Sequence, residues 1–315
     1  MADINLQEVH DFMIEIARKV GERITSATPS TGAAGSKKNS VDLVTETDQA
    51  VEKIISTSLR ERYPSFSFMG EETYKPGDKL TDAPTCTSFP NTTQSPHRRP
   101  NVRSPAQGTP GKDGTTNFVH RNPYVAISLG LAIRQIPTIG IVYNPFTQTL
   151  YSGIKGHGSY LTQHLLAPQA KKQPLPLHPA TPLDTLNTCL VAVEWGSDRS
   201  GNDFHVKSST FAKLAAADGG MVHGLRSFGS AALNLCAVAA GEVDVYWEAG
   251  CWAWDVCAGW VVLGEAGGRV VDANPGNWAP RVDERRYLAV RGGEGQEGLI
   301  EEFWGLVEGR FEVGV

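Results

Sequence analysis

One stretch near the C-terminal end constrains the fold more than any other: a nearly all-apolar helix with a carboxylate at its start. The helix is predicted from about Asp255 to Glu265, and Gly267-Gly268 is a typical signal for its end. A helix that is apolar on every side is normally buried. A carboxylate at its start would be costly to bury without a cation or hydrogen-bond donors. We therefore predict that Asp255 has a function.

The rest of the chain alternates between helical and strand patterns. Apolar residues recur at three- and four-residue spacing from Leu6 to Ile24, and Asn5 with Glu8 resembles a capping box. Further helices are predicted at 47–59, 210–217, 231–240, 255–265 and 297–308, and strands at 41–45, 66–69, 124–133, 138–143, 150–154, 158–161, 190–193, 243–247, 269–272 and 287–291. Helices and sheets in alternating layers favour an α+β or α/β sandwich, with residues 1–315 as one domain in two packed lobes.

The composition excludes some classes of function. The formal net charge is −5, whereas nucleic-acid-binding proteins usually carry a basic excess. The five cysteines contain no C-x-x-C pair, which favours reduced core thiols over a disulfide framework or a zinc site. The N-terminus lacks the pattern of a secretory signal, and the longest apolar run, of about ten residues, is half of what a membrane span needs. We expect a soluble, cytoplasmic protein that binds neither nucleic acid nor membrane.

Four acidic residues lie where a metal-dependent phosphate chemistry would place them. Hydrolysis of a phosphate monoester requires charge neutralisation on the phosphoryl oxygens and an activated water, and carboxylate-bound magnesium provides both. Asp113 precedes Gly114 and two threonines, whose amides can cradle phosphate if a helix begins there. Alone, this run equally fits a D-G turn before a strand. Glu71 follows a predicted strand, and Asp48 lies in a first helical turn, where a carboxylate also complements the helix dipole.

Together these motifs resemble one family, the inositol monophosphatases. They occur in order as Val41-Asp42-Leu43-Val44-Thr45-Glu46-Thr47-Asp48, Gly70-Glu71-Glu72, Asp113-Gly114-Thr115-Thr116-Asn117-Phe118-Val119-His120 and Trp254-Asp255-Val256-Cys257-Ala258-Gly259. Gly229-Ser230-Ala231-Ala232, Glu248-Ala249-Gly250 and Glu265-Ala266-Gly267-Gly268 fit the same family. The resemblance covers essentially the whole chain except residues 83–112.

The resemblance implies a layered αβαβα sandwich of the sugar-phosphatase type, usually a homodimer, that uses Mg²⁺ and is inhibited by lithium. Glu71 would bind the first metal and help activate water, assisted by Thr115 with Asp48 on its hydroxyl. Asp113 and Asp255 would bind the second metal. The family pattern also assigns substrate contacts to Gly114, Thr115, Thr116, Ser230, Ala231, Glu248 and Asp255, and a loop lysine near the metal to Lys37 or its neighbour Lys38. Ser230 has a second interpretation as a helix N-cap only.

One segment departs from the family. Residues 86–112 replace about six residues of the family pattern Trp-x-x-Asp-Pro-x and contain no Asp or Glu. Pro110 occupies the position of an aspartate that normally bridges two metals, and Lys112 stands where an apolar residue gives its carbonyl to the metal. We expect a disordered insertion that removes part of a core strand and weakens metal binding and activity.

Three interpretations of function remain open from the sequence. The first is hydrolysis of inositol monophosphate, which the short Glu248-Ala249-Gly250 turn favours through its polyol-binding carboxylate. The second is a related monoesterase that acts on a nucleotide 3′-phosphate, a sugar bisphosphate or histidinol phosphate. The third is a catalytically impaired family member that serves as a binding module, which the missing bridging aspartate favours.

The clean match on both sides of residues 86–112 suggests that this segment is translated non-coding sequence or a splice variant. We predict that a transcript lacking it exists, because the flanking residues Thr85 and Asp113 both fit the family. Sequencing transcripts across these two codons tests this, and a single abundant transcript that encodes the segment as written would contradict it.

Overall fold

The computed structural model describes residues 4–27, 35–36, 43–44, 46–71, 73–75, 77–90 and 115–313. Its helices are α1 (Leu6–Ser26), α2 (Glu46–Arg62), α3 (Thr115–Val119), α4 (Asn202–Ala215), α5 (Ala231–Ala240), α6 (Ala253–Glu265) and α7 (Gln296–Leu306). Its strands are β1 (Gly35–Ser36), β2 (Leu43–Val44), β3 (Ser67–Gly70), β4 (Thr85–Pro90), β5 (Ile127–Ile133), β6 (Ile136–Asn144), β7 (Thr149–Ile154), β8 (Ser159–Gln163), β9 (Lys171–Pro174), β10 (Leu190–Val193), β11 (Gly224–Arg226), β12 (Val245–Ala249), β13 (Arg269–Val271) and β14 (Arg286–Val290).

Two large sheets carry the fold. The seven-stranded sheet has the order β3-β4-β5-β6-β7-β8-β9, and all its neighbours are antiparallel except the parallel pair β3 and β4. The five-stranded sheet has the order β11-β10-β12-β14-β13 and begins with parallel strands. The short strands β1 and β2 pair with each other.

The helices form three layers around these sheets. Buried residues of α1 and α2, such as Val20 and Ile55, form one apolar core with β5 and β6. Residues of α5 and α6 fill a second core between the two sheets. Residues of α4 and α7, such as Phe303, cover the outer face of the five-stranded sheet. The predicted αβαβα sandwich is therefore confirmed, and the apolar helix α6 is in its middle layer because it has no polar face to turn to water.

The close approach of α6 to the seven-stranded sheet depends on glycines in the sheet. A Cβ at Gly140 in β6 would collide with the carbonyl oxygen of Ala258, and a Cβ at Gly130 in β5 would lie 2.7 Å from the Cys257 sulfur. Both approaches are shorter than van der Waals contact. Only glycine therefore fits at these two positions of the sheet, where α6 approaches most closely.

Strand β4 corrects one expectation from the sequence. Residues 86–90 do not belong to a disordered insertion, because Thr85–Pro90 pairs with β3 on one side and β5 on the other. The physical reason is that β3 and β5 would otherwise leave rows of backbone N–H and C=O groups without hydrogen-bond partners. Any segment of strand-forming residues can pair with these groups. The expected loss of a core strand is therefore wrong, and residues 91–112 lie outside the described residues.

The other predicted elements agree to within a few residues, except that helix α4 begins eight residues before its predicted start at 210. The strands β1, β9 and β11 and the short helix α3 are additions to the predicted elements. The Asn5 side chain accepts a hydrogen bond of 3.1 Å from the Glu8 amide, as the capping pattern predicts. Within the described ranges, no helix is both long and apolar enough to cross a membrane.

Two glycine substitutions should have opposite effects on stability. Gly140→Ala should lower the free energy of unfolding by about 1–3 kcal/mol or more, because the added methyl group overpacks the contact with Ala258. Gly264→Ala, at an exposed position of α6 with open space around it, should raise it by up to about 1 kcal/mol. Urea unfolding of both variants measures this, and equal effects of the two substitutions would contradict the packing argument.

Candidate active site

Glu71 and Asp255 lie at the same edge of the seven-stranded sheet. Glu71 comes directly after β3, at the edge where β5 begins. Ser128, near the start of β5, donates a hydrogen bond of 3.0 Å to the carbonyl of Trp254, the residue before Asp255. The ring of Tyr74, three residues after Glu71, lies 5.3 Å from the ring of Trp254. The loop after β3 therefore packs against the start of α6.

The carboxylate of Asp255 is buried with little hydrogen bonding. The Trp252 amide donates to Asp255 Oδ2 at 2.7 Å, and this is the one hydrogen bond to the carboxylate from the described residues. Burial raises the pKa of Asp255 to about 8; the Trp252 amide opposes the rise, the charge of Glu248 adds to it, and that of Arg285 opposes it. A bound cation would supply the positive charge that this buried oxygen pair otherwise lacks.

Glu71 is also buried, and a second buried carboxylate, Glu52, packs against the preceding residue, Gly70. Glu71 is 4% exposed and Glu52 of α2 is 1% exposed. A Cβ added at Gly70 would lie 2.8 Å from the carboxyl carbon of Glu52, so the glycine leaves room for that side chain. Buried carboxylate oxygens are the donors that Mg²⁺ prefers. These residues fit a hard divalent cation.

The structure places the other predicted metal and catalytic residues less completely. Asp48 lies in the first turn of α2, and Thr115 is the first residue of α3. Their predicted contacts stay predictions. The predicted residues Lys37, Lys112, Asp113 and Gly114 lie outside the described residues. Within the described ranges, no three acidic, histidine or cysteine side chains form a metal-binding group.

The start of α5 approaches the short helix α3. Asn117 of α3 donates through Nδ2 to the carbonyl of Phe228 at 2.7 Å and to that of Tyr124 at 2.9 Å. The Ser230 hydroxyl accepts a hydrogen bond of 3.3 Å from the Leu233 amide and so caps α5. Ser230 is thus the N-cap of α5, and its contact with the substrate stays a prediction. Thr116 is exposed and Ala231 is buried.

Glu194, directly after β10, organises the turn before α5. Its Oε1 accepts hydrogen bonds from the amides of Phe228 at 2.7 Å and Gly229 at 2.8 Å, and from Asn234 Nδ2 at 2.9 Å. Burial raises the pKa of Glu194 to about 7, the charge of Glu248 adds to the rise, and the three donors oppose it. Glu194 and Glu248 are therefore electrostatic neighbours.

Glu248, at the end of β12, has one carboxylate oxygen without a partner. Tyr246 donates its hydroxyl to Glu248 Oε2, while Oε1 is buried and has no hydrogen-bond partner among the described residues. Burial raises the pKa of Glu248, and the charge of Lys207 opposes the rise. Lys207 is itself buried and donates to the Ala249 carbonyl at 3.0 Å. An unpartnered buried acceptor costs free energy unless a ligand donates to it.

Comparison with known proteins identifies the family. A sequence profile described as "Inositol monophosphatase family" matches residues 5–87 and 113–308. The chain belongs to the inositol monophosphatase family. Inositol monophosphatase 2 of Saccharomyces cerevisiae is 42% identical over 98% of this chain and 97% of its own length. Inositol monophosphatase 1 of Homo sapiens is 36% identical over 90% of each chain.

A solved structure agrees with this assignment. The inositol monophosphatase from Anabaena (Nostoc) sp. PCC 7120 superposes with a TM-score of 0.70 at 26% identity, and the match covers 97% of this chain and 98% of that one. The predictions of the family, of the layered sandwich and of a phosphoric monoester hydrolase are confirmed. The profile leaves residues 88–112 unmatched, so β4 begins within the family pattern and leaves it after Thr87.

Sequence reasoning missed four residues of this inositol monophosphatase site. Glu194 ends a predicted strand, so the search for acids at strand ends could have found it. Asn117 belongs to the Asp113–Phe118 run but was given no role. Lys207 and Tyr246 carried no local signal, because their importance comes from contacts with the residue pair Glu248-Ala249.

The Glu194→Gln variant should change how stability depends on pH. The pKa of Glu194 is about 7 in the folded protein and 4.5 ordinarily, so the folded state binds this proton more tightly and stability falls as pH rises from 4.5 through 7. Glutamine does not titrate, so it removes this fall. The difference in free energy of unfolding, variant minus wild type, should therefore rise by about 3 kcal/mol between pH 4 and pH 8. Urea unfolding at both pH values measures this, and parallel pH profiles of the two proteins would contradict the assignment.

Proposed function

We propose that this chain hydrolyses inositol monophosphate to myo-inositol and phosphate in the presence of Mg²⁺. The observation that carries the proposal is the buried Glu248 carboxylate, because Tyr246 holds one of its oxygens and the other has no partner among the described residues. A fixed acceptor of this kind suits a ring hydroxyl of a polyol. The proposal is supported by its electrostatic neighbour Glu194, which holds the turn that leads to Ser230 and Ala231.

The cation would be held by Glu71 and Asp255 together with Asp113. When bound, it supplies positive charge against the phosphoryl oxygens and favours deprotonation of the attacking water. Glu71 would accept the proton of that water, assisted by Thr115, whose hydroxyl Asp48 would orient. The Trp252 amide fixes the Asp255 carboxylate at the start of α6. The sheet edge at which α6 starts would therefore serve as the rigid frame of the cation site.

The two ends of the substrate would meet different elements. The backbone around Gly114, Thr115 and Thr116 holds the phosphate at the start of α3. The inositol hydroxyls face Ser230, Ala231 and Glu248, and Asp255 lies between the two ends. Lys37 or its neighbour Lys38 would contribute a positive charge. This division explains why the polar side chains of the site come from both sheets.

Three further properties are proposed from family membership. The protein works as a homodimer, is inhibited by lithium and acts in the cytoplasm. All five cysteines are free and buried, which suits a reducing compartment. The relatives named above are inositol monophosphatases, which supports an inositol monophosphate rather than a nucleotide or histidinol phosphate as substrate.

The chain as written should be a weak enzyme. Pro110 replaces the expected bridging aspartate, and Lys112 adds a positive charge next to Asp113. Replacing residues 86–112 with a family-like Trp-x-x-Asp-Pro-x stretch should raise kcat/KM for inositol monophosphate with Mg²⁺ by at least about 100-fold, because losing a direct ligand costs more than losing its supporting partner. Phosphate release measures this, and equal activity of the two versions would contradict it.

A substrate panel separates the remaining candidates. The restored version should prefer inositol monophosphate over a nucleotide 3′-phosphate, a sugar bisphosphate and histidinol phosphate, and lithium should inhibit it. If neither version hydrolyses any monoester while the original chain still folds, the proposed phosphatase function is wrong and the binding-module interpretation is favoured.

A further inference from the structure

The turn from Phe228 to Ser230 joins the two ends of the proposed site. It leads directly into α5, whose first residues face the polyol side, and it contacts α3, whose start faces the phosphate side. The distance between the two helix starts therefore depends on this turn. Its backbone geometry must be fixed if both ends of one small substrate are to be held at once.

Glu194 holds the turn from the side of the five-stranded sheet. Three hydrogen bonds from described residues, Phe228, Gly229 and Asn234, converge on the same oxygen of Glu194, Oε1, at 2.7–2.9 Å. The donors lie 34 to 40 residues further along the chain. Hydrogen bonds to a carboxylate are stronger than those between neutral groups. Glu194 thus fixes two consecutive amides and the first turn of α5.

Asn117 holds the same turn from the opposite side. Its Nδ2 donates to the Phe228 carbonyl at 2.7 Å, so the Phe228 peptide is bound through its amide to Glu194 and through its carbonyl to Asn117. The Phe228 ring also stacks on Tyr124 at 5.2 Å. The turn is therefore clamped between two elements. On one side is the segment from α3 to the start of β5, and on the other is the end of β10.

Gly229 is the residue that allows this clamp. Its φ of +83° lies in the left-handed region, which residues with a side chain rarely adopt. A Cβ at this position would lie 2.9 Å from Asn117 Nδ2. Any side chain would push Asn117 away from the Phe228 carbonyl. The glycine and the two polar side chains thus form one unit.

We propose that Glu194 is a positioning residue for the substrate, which, with Asn117, sets the spacing between the phosphate-binding start of α3 and the polyol-binding start of α5. This inference rests on the proposed function for the identity of the substrate. Among the described residues, the hydrogen bonds of Glu194 come from this turn and from Asn234, and none involves Glu71 or Asp255. Its removal loosens the alignment and leaves the reacting groups in place.

The first test measures the turn without using activity. Amide hydrogen exchange at Phe228 and Gly229, followed by NMR, should be at least about tenfold faster in Glu194→Ala than in the wild-type protein, because both hydrogen bonds are lost. Glu194→Gln should keep the protection, since its amide oxygen can accept the same three donors. The matched control is Glu302→Ala, which removes a carboxylate that accepts from Thr185 and Leu186 elsewhere on the five-stranded sheet's outer layer. It should leave Phe228 and Gly229 unchanged.

The second test uses the version with the restored Trp-x-x-Asp-Pro-x stretch. Glu194→Ala should raise KM for inositol monophosphate about tenfold while changing kcat for p-nitrophenyl phosphate, which lacks ring hydroxyls, less than threefold. Glu194→Gln should restore KM to within about threefold. If Glu194→Ala fails to fold, Asn117→Ala provides the same comparison from the other side of the clamp.

The outcomes separate the inference from the proposed function. Each of three results would overturn the positioning role. The first is unchanged amide exchange at Phe228 and Gly229 in Glu194→Ala, and the second is an equal loss of activity with both substrates. The third is a glutamine variant that is as impaired as the alanine variant. If the restored protein hydrolyses neither substrate, the proposed function fails. The exchange comparison then still decides whether Glu194 fixes the turn.

Discussion

The burial of a carboxylate at the start of α6 is the constraint on which the rest of the structure depends. Helix α6 is apolar on every face, so it needs a sheet on both sides, and the glycines of β5 and β6 let it approach closely. This packing removes Asp255 from water and leaves its carboxylate with one hydrogen-bond donor, the Trp252 amide, in the described part of the chain. Burial of an acidic group with one amide donor is unfavourable by itself. The free energy gained by packing the apolar layers offsets this cost, and the site lies at the start of α6, where the apolar packing and the buried acid meet.

The same region gathers other buried charges that compensate one another. Glu194 and Glu248 lie close enough for each charge to matter, and Lys207 reduces the cost of Glu248. On the other side, Arg285 lies 3.8 Å from the centroid of the Trp252 ring and donates to the Gly250 carbonyl. In this set, Glu194, Glu248 and Asp255 each accept hydrogen bonds, and Glu248 and Asp255 also lie near an opposite charge.

The sequence predicted the layers and the main acids because both follow from local patterns. Periodicity located α1, the nearly all-apolar run located α6, and acids at strand ends and helix starts indicated Glu71 and Asp255. The roles of Lys207 and Asn117 could not be predicted, because each depends on a contact more than 40 residues away in the chain. Strand β4 was missed for another reason: Thr87 and Ser88 are polar, and only the neighbouring strands make that segment a buried strand.

Strand β4 also shows why the fold and the chemistry of this chain can separate. Pairing with β3 and β5 uses backbone groups, so Thr85–Pro90 completes the sheet whatever its side chains are. The price is local: the Ser88 hydroxyl is buried without a hydrogen-bond partner among the described residues, a penalty of about 1–3 kcal/mol. A metal ligand, by contrast, cannot be replaced by backbone pairing, because it must present a carboxylate at one point in space. The aspartate that the family pattern predicts shortly after this strand is a group of that kind, so we expect its absence to weaken the cation site much more than the sandwich around it.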